Sequence, residues 1–114
     1  MPFIKTMTSV KIDKEAEATL IKKLGKAIEV IPGKTEQWLM LDFVDSERLA
    51  FRGDNTKSYA MVEVSLLGRA EGRYLELLTS EICDALYEVL GIPTDGIYVS
   101  YSQLEHWGYD KSNF

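Results

Sequence analysis

The sequence predicts an α+β fold in which two β-α-β units form one four-stranded mixed sheet with two helices on one face. The chain has 114 residues, which is the size of a single domain. Its residues are 46% apolar and 27% charged, as in a globular protein. A strand–helix–strand pattern occurs twice, and a helix is the usual crossover between parallel strands. We therefore expect residues 1–114 to form one domain.

The first unit starts at the amino terminus. Residues 2–9 are rich in β-branched and aromatic side chains and contain no glycine, so they predict a strand. Asp13 is a candidate N-cap for an amphipathic helix over residues 14–31, whose apolar positions have helical spacing. Pro32 ends this helix. Residues 38–44 are almost continuously apolar and predict the second strand.

The second unit repeats this order. Residues 59–67 predict a strand, and the apolar spacing over residues 73–90 predicts a second amphipathic helix. Gly91 ends that helix, and residues 97–101 predict the last strand. Residues 105–114 mix aromatic and polar side chains, and their pattern assigns them to no element.

The sheet face away from the helices is expected to be apolar. Apolar side chains are expected on both faces of the strands: Phe3, Met7, Leu39, Leu41, Met61 and Leu67. A large exposed apolar face predicts a partner. A chain this short also buries only about two thirds of its unfolded surface, which favours an oligomer.

Composition argues against several classes of function. The 13 Lys and Arg against 18 Asp and Glu give a net charge of −5, which disfavours nucleic-acid binding. No apolar run reaches the roughly 20 residues of a membrane span, so no membrane partner is expected. No signal peptide is evident, so we expect a cytoplasmic protein, or secretion by a route without a signal peptide. One cysteine forms neither an internal disulfide nor a cysteine-based zinc site.

Pro2 is the first candidate for chemistry. Removal of Met1 would leave a proline whose nitrogen is a free secondary amine. An α-amino group has a pKa of about 8, and an apolar site lowers that value. The neutral amine can act as a general base towards an acidic C–H bond. The alternative is that Pro2 merely starts a strand, where its missing N–H costs nothing.

Other polar side chains have weaker individual signals. Lys34 follows the end of the first helix and can bind a carboxylate, or it can interact with the helix dipole as a surface lysine. Tyr98 and Ser100 lie on the same face of the last strand and can hydrogen-bond an enol or carboxylate, or they are ordinary strand residues. His106 predicts no triad or metal site and is interpreted as a surface histidine. Cys83 is interpreted as a small core residue.

Taken in order, five segments resemble the macrophage migration inhibitory factor family of the tautomerase superfamily. The resemblance spans essentially the whole chain. The segments are Met1-Pro2, Pro32-Gly33-Lys34, Ser65-Leu66-Leu67-Gly68-Arg69, Ile97-Tyr98-Val99-Ser100-Tyr101, and the tail Trp107-Gly108-Tyr109-Asp110-Lys111-Ser112-Asn113-Phe114.

The resemblance implies a homotrimer with sites at subunit interfaces and keto–enol tautomerisation of phenylpyruvate-like α-keto acids without a cofactor or metal. Pro2 would be the catalytic acid/base. Lys34 and the backbone N–H near Leu67 would bind the substrate carboxylate, and Tyr98 would come from the neighbouring subunit. An aromatic pocket would be lined by Trp38, Trp107, Tyr109 and Phe114.

Three departures from the family pattern bear on function. Ser100 stands where the family has asparagine, which shortens one polar contact. Tyr109 stands where the family has the tail tryptophan, which changes the rim of the pocket. Residues 59–62 lack the Cys-x-x-Cys of some vertebrate members, so no thiol-redox activity is expected.

Two other functions stay open from the sequence. One is a secreted cytokine-like signalling protein that binds a receptor and has vestigial tautomerase activity. The other is a small-molecule sensing domain, since paired β-α-β units also build regulatory modules. Such a sensing domain does not need an amino-terminal proline.

Overall fold

Six strands and two helices follow one another in the computed structural model, which describes residues 1–114. The elements are β1 (Pro2–Thr8), α1 (Lys14–Ala27), β2 (Met40–Val44), β3 (Ala60–Leu67), α2 (Gly72–Leu90), β4 (Ile97–Leu104), β5 (Gly108–Tyr109) and β6 (Ser112–Asn113). Strands β1 to β4 form one sheet in the order β2-β1-β3-β4. The pairs β1–β2 and β3–β4 are parallel, and β1 and β3 are antiparallel. The predicted mixed four-stranded sheet of an α+β fold is confirmed.

The core lies between the sheet and the two helices. Alternate residues of β1 and β3 are buried, as expected for strands with one face on a core. Sixteen buried residues form one apolar cluster from the sheet and both helices. Burying a Leu or Ile side chain stabilises a fold by about 1.5–3 kcal/mol. This cluster is therefore what holds the helices against the sheet.

The outer sheet face is less apolar than predicted. Of the six apolar residues expected over the two faces, Leu39 and Leu41 pack against the core and so add nothing to the outer face. A charged row crosses the outer face, because Lys5 is paired in register with Asp42 on one side and with Glu63 on the other. Apolar side chains remain on both sides of this row, and four of them are half-buried: Phe3, Met7, Met61 and Leu67.

The ends of α1 follow from local chemistry. The Asp13 carboxylate accepts a hydrogen bond from the Ala16 N–H at 2.8 Å, which confirms the predicted N-cap. The helix ends at Ala27, earlier than predicted, and a 3-10 turn over Ile28–Val30 follows. Proline disfavours the α conformation in the residue before it, so Pro32 forces an extended backbone upstream. The predicted helix over residues 14–31 is therefore too long.

Three other boundaries differ from the predictions. Trp38 lies in a 3-10 turn, and β2 begins only at Met40. Strand β4 continues to Leu104, beyond the predicted end at residue 101, because it pairs with β3 up to Leu67. The unassigned tail forms the β5–β6 hairpin. Neither helix combines the length and apolar composition that a membrane-spanning helix needs.

Candidate functional site

A cavity of about 890 Å³ opens at the end of the sheet where β1 begins. Pro2 is buried there, at the first position of β1, and is paired in register with Leu66 of β3. The 3-10 turn before β2, the end of β4 and the tail supply the other walls. Three predicted pocket residues line the cavity together with Pro2, and these are Trp38, Trp107 and Tyr109.

The aromatic wall of the cavity is a cluster held by the tail hairpin. Trp38 packs edge-on against Tyr109, with ring centroids 5.3 Å apart. Phe114 packs on both rings, at 6.3 Å from Trp38 and 6.1 Å from Tyr109. The Phe114 N–H donates to the Trp107 carbonyl at 3.0 Å. Such pairs contribute about 0.5–1.5 kcal/mol each beyond area burial, so the cluster fixes the tail beside Pro2.

The turn of the hairpin is a tight one. Asp110 and Lys111 both have positive φ angles, of 48° and 73°. Two such residues are typical of a type I′ turn, which matches the twist of a two-residue hairpin. The tail had no assignment from its pattern because only the pairing of β5 with β6, and their contact with Trp38, defines it.

Lys34 lies beside the chain's first residue. Its Nζ donates to the Leu67 carbonyl at 2.9 Å. This bond joins the segment that follows α1 to the end of β3. The pKa of the Met1 amine is lowered from its usual 8.0, chiefly by burial and then by the charge and hydrogen bonding of Lys34. The cation and the chain's amino group therefore share one local environment.

Met1 lies at the cavity beside Pro2 and is joined to the Pro2 nitrogen by a peptide bond. The Leu67 N–H donates to the Met1 carbonyl at 3.1 Å, and Met1 also lines the 890 Å³ cavity. While Met1 is present, the Pro2 nitrogen is an amide and has no basic lone pair. Removal of Met1 creates a secondary amine at Pro2 and frees the Leu67 N–H beside the Lys34 ammonium. The processed chain would then offer the Pro2 amine as a base, and the Leu67 N–H and the Lys34 ammonium as hydrogen-bond donors to an anion.

Tyr98 and Ser100 lie away from Pro2 in the same chain. Tyr98 is paired with Met61, whereas Pro2 is paired with Leu66, so five residues or about 17 Å of strand separate the two levels. The Tyr98 ring is 61% exposed and packs on Phe51 with centroids 4.8 Å apart. The fold of one chain therefore places Pro2 in one cavity with Trp38, Trp107 and Tyr109, and Phe114 packs against the Trp38 and Tyr109 rings. Lys34 and Leu67 lie outside that cavity, beside Met1, and Tyr98 and Ser100 lie away from both groups.

Sequence reasoning missed polar residues of the site. His106 is exposed, as predicted, but it lines the same cavity as Pro2 and so is more than a surface histidine. Gln37 and Ser65 also line the cavity. The available signal was the adjacent tryptophan, Trp38 for Gln37 and Trp107 for His106, and Ser65 had no such neighbour. Cys83 is half-buried and packs against the core, as interpreted. No group of three or more His, Cys, Asp or Glu side chains is placed to hold a metal ion.

Comparison with known proteins gives the family. The family model described as macrophage migration inhibitory factor matches residues 1–112. The chain belongs to the macrophage migration inhibitory factor family. This family lies in the tautomerase superfamily, which supports an isomerase in general terms, and its proteins are oligomeric.

Individual relatives match over nearly their full length. The macrophage migration inhibitory factor of Xenopus laevis is 28% identical over 116 residues, covering 100% of this chain and 99% of that protein. The crystal structure of Leishmania major MIF2 is similar with a TM-score of 0.93 and 32% identity, covering 100% of this chain and 97% of that one. The homologue from Prochlorococcus marinus has a TM-score of 0.88 and 26% identity, covering 98% of each chain.

Proposed function

We propose that the chain, once Met1 is removed, is a cofactor-free keto–enol tautomerase of phenylpyruvate-like α-keto acids, with Pro2 as the general acid/base. One observation carries the proposal: Pro2 is buried beside an aromatic-walled cavity of about 890 Å³, and the Lys34 ammonium lies next to the chain's amino group. Family membership supports the same reaction class.

The Pro2 amine would be unprotonated at neutral pH and still basic enough to accept a proton from the substrate. Burial and the Lys34 charge lower the pKa of the Met1 amine. After processing, the Pro2 amine would lie beside the same Lys34 charge and the same apolar wall, so we expect both causes to lower its pKa too. General bases work best when their pKa lies near the operating pH. The site therefore favours a neutral amine at neutral pH.

The substrate carboxylate would bind at the position that Met1 leaves. The Met1 carbonyl oxygen, which accepts from the Leu67 N–H at 3.1 Å, stands in for one carboxylate oxygen. The Lys34 ammonium uses one donor on the Leu67 carbonyl and has two more for the carboxylate. An aromatic side chain of the substrate would then extend along Trp38 and Tyr109.

The proton inventory of the reaction closes without any other reagent. The neutral Pro2 amine removes a proton from C3 of the keto acid, and the C–H electron pair forms the C2=C3 bond. The carbonyl π pair moves to oxygen, which takes a proton from water to give the enol, and the Pro2 ammonium then gives its proton to the hydroxide so formed, which regenerates the neutral amine. The reverse direction returns the Pro2 proton to C3. No oxidant or reductant is consumed.

A homotrimer would complete this site. Tyr98 is exposed and lies too far from the Pro2 of its own chain, which supports its use, together with Ser100, by a neighbouring subunit. The outer sheet face carries half-buried apolar side chains on both sides of its charged row, and a neighbouring sheet would cover them. Analytical ultracentrifugation tests this part directly.

The test of the proposed function begins with the mass of the expressed chain, which shows whether Met1 is removed. Processed wild type and Pro2→Gly are then compared in phenylpyruvate tautomerisation. Glycine keeps an amino-terminal amine but lacks the proline ring, so we expect a loss of roughly tenfold or more in kcat/KM. The variant should unfold at the same urea concentration as wild type. Unchanged activity in Pro2→Gly would contradict the proposal.

A further inference from the structure

A second cavity, of about 360 Å³, lies at the end of β3. Lys34 and Leu67 line it, and so does Arg69. Met1 links the two cavities, since it lines the larger one and its carbonyl accepts from the N–H of Leu67, which lines the smaller one. A substrate bound at Lys34 would therefore reach both cavities once Met1 is gone.

Arg69 is held in place by the backbone on both sides of it. The Gly68 N–H donates to the Leu104 carbonyl at 2.8 Å, and the Ala70 N–H donates to the Gln103 side-chain carbonyl at 2.7 Å. Gly68 makes the turn with a φ of +81°, a conformation that favours glycine. The loop after β3 is thus fastened to β4 one residue before and one residue after Arg69.

The two cations of this cavity have no ionic partner within the chain. The ion pairs of the whole chain are Lys23–Glu88 and Arg73–Glu71. Glu71 also lines the cavity, but its carboxylate accepts from the Arg73 Nε at 2.9 Å. Lys34 and Arg69 are therefore a local excess of positive charge in a chain of net charge −5. Neighbouring like charges repel unless an anion lies between them.

The spacing suits a compact anion. The Lys34 Nζ is 2.9 Å from the carbonyl of Leu67, and Arg69 is only two residues further along the chain, or at most about 7 Å between Cα atoms. The guanidinium of Arg69 can bind a carboxylate with two parallel hydrogen bonds, whereas Lys34 acts as a point charge. One carboxylate at Lys34 and a second at Arg69 would be separated by few bonds.

We propose that Arg69 is a specificity-determining residue that selects substrates with a second anionic group, namely compact α-keto dicarboxylates. This inference rests on the proposed function, and it names a substrate class for the same site. Lys34 and the Leu67 N–H hold the carboxylate next to the keto group. Arg69 binds the distal carboxylate of such a substrate. Substrates with a single carboxylate place their side chain in the aromatic cavity instead.

The kinetic test compares oxaloacetate with phenylpyruvate in the processed chain. Arg69→Ala should lower kcat/KM for oxaloacetate roughly tenfold, chiefly by raising KM, and change the value for phenylpyruvate less than about twofold. Arg48→Ala is the matched control, because Arg48 is an exposed loop arginine with no side-chain hydrogen bond or ion pair. Equal losses on both substrates, or no loss on oxaloacetate, would overturn the proposal.

A binding measurement separates this inference from the proposed function. Succinate has the two carboxylates of oxaloacetate without the keto group, and butyrate has only one. By NMR titration of the processed chain, we expect succinate to bind tighter than butyrate and Arg69→Ala to remove the difference. If this holds while no tautomerase activity is found, the proposed reaction fails and the anion subsite stands. Equal binding of both acids by wild type would refute the subsite.

Discussion

At the Thr8 end of the sheet, side chains and backbone are bonded to one another. The buried Thr8 hydroxyl and the Ser9 N–H both donate to the Tyr59 carbonyl, at 2.9 and 3.1 Å. At the Pro2 end, the Leu67 N–H is bonded to Met1, which processing would remove. We call the Thr8 end the closed end, because its polar groups are bonded to residues that stay in the chain. The Pro2 end is the open end, because Met1 can be removed from it. Chemistry is therefore expected at the open end and stability at the closed end.

The largest effect should come from extending the open end. Inserting an alanine between Met1 and Pro2 lets processing leave Ala-Pro, in which the Pro2 nitrogen is an amide. We expect tautomerase turnover to fall by about a hundredfold or more, because general acid–base catalysis contributes roughly 10²–10⁴. Steady-state assays of the mass-verified proteins check this. Full activity in the extended chain would mean that Pro2 is not the base.

The second effect concerns anion binding at the open end. Lys34→Ala removes the cation beside Pro2, and we expect kcat/KM for phenylpyruvate to fall by about ten- to a hundredfold, the value of one charged hydrogen bond. Most of the change should be in KM. Lys11→Ala, at an exposed lysine outside both cavities, serves as the control. A similar loss in both variants would point to a general charge effect.

The closed end predicts a contrast between two threonines on one strand. Thr8→Val removes a hydroxyl that donates to Tyr59 and accepts from the Val10 N–H, so we expect a loss of about 1–2 kcal/mol in the free energy of unfolding. The Thr6 hydroxyl is buried and has no partner. Thr6→Val should be neutral or stabilising by up to about 1 kcal/mol.

Urea unfolding measures the free energy of unfolding of both threonine variants, which are compared with wild type when their m-values agree. Neither should change turnover, since Thr6 and Thr8 both face the helices and line neither cavity at the open end. If Thr8→Val lowered turnover while its stability stayed unchanged, the separation of the two ends would be wrong.

The smallest effect is an acid dependence at the closed end. Hydrogen bonds from Thr56 and then Tyr59 lower the pKa of Asp54 from 3.8 to about 2. A carboxyl with a lowered folded pKa stabilises the fold fully above its unfolded pKa, and this contribution is lost as the pH falls from 3.8 towards about 2. Asp54→Asn should remove that part of the acid sensitivity.

Thermal unfolding between about pH 6 and pH 2 tests Asp54. The difference in Tm between wild type and Asp54→Asn should narrow as the pH falls, because wild type loses its ionised carboxylate. Tyr59→Phe removes only one of the hydrogen-bond donors to Asp54. The change of its Tm with pH should therefore lie between the changes seen for wild type and for Asp54→Asn. A difference that is constant across the whole range would contradict the assignment.

Local signals were sufficient for most of the fold. The Asp13 cap and the αL position of Gly91 mark helix ends that the backbone reproduces, because capping depends on neighbouring residues only. The outer sheet face was harder to predict. Leu41 is turned to the core by the register of β2 against β1, and register is set by contacts between segments distant in sequence.

The candidate site was predictable in type but only partly in place. Lys34 lies beside Met1 because the segment after α1 returns to the start of β1, which the β-α-β pattern implies. His106 and Trp107 reach the cavity only through the hairpin and its packing on Trp38. Tyr98 cannot be joined to Pro2 by any feature of one chain, since a second subunit would have to supply it.

The most direct measurement is the pKa of the Pro2 amine in the processed chain, by ¹⁵N NMR titration of a protein labelled at proline. The open end should hold this pKa below the ordinary α-amino value of about 8, and the rate of phenylpyruvate tautomerisation should change at the same pH. Lys34→Ala should raise both values together. An amine that titrates at or above its ordinary value, with a rate that does not follow it, would contradict the assignment of Pro2 as the base.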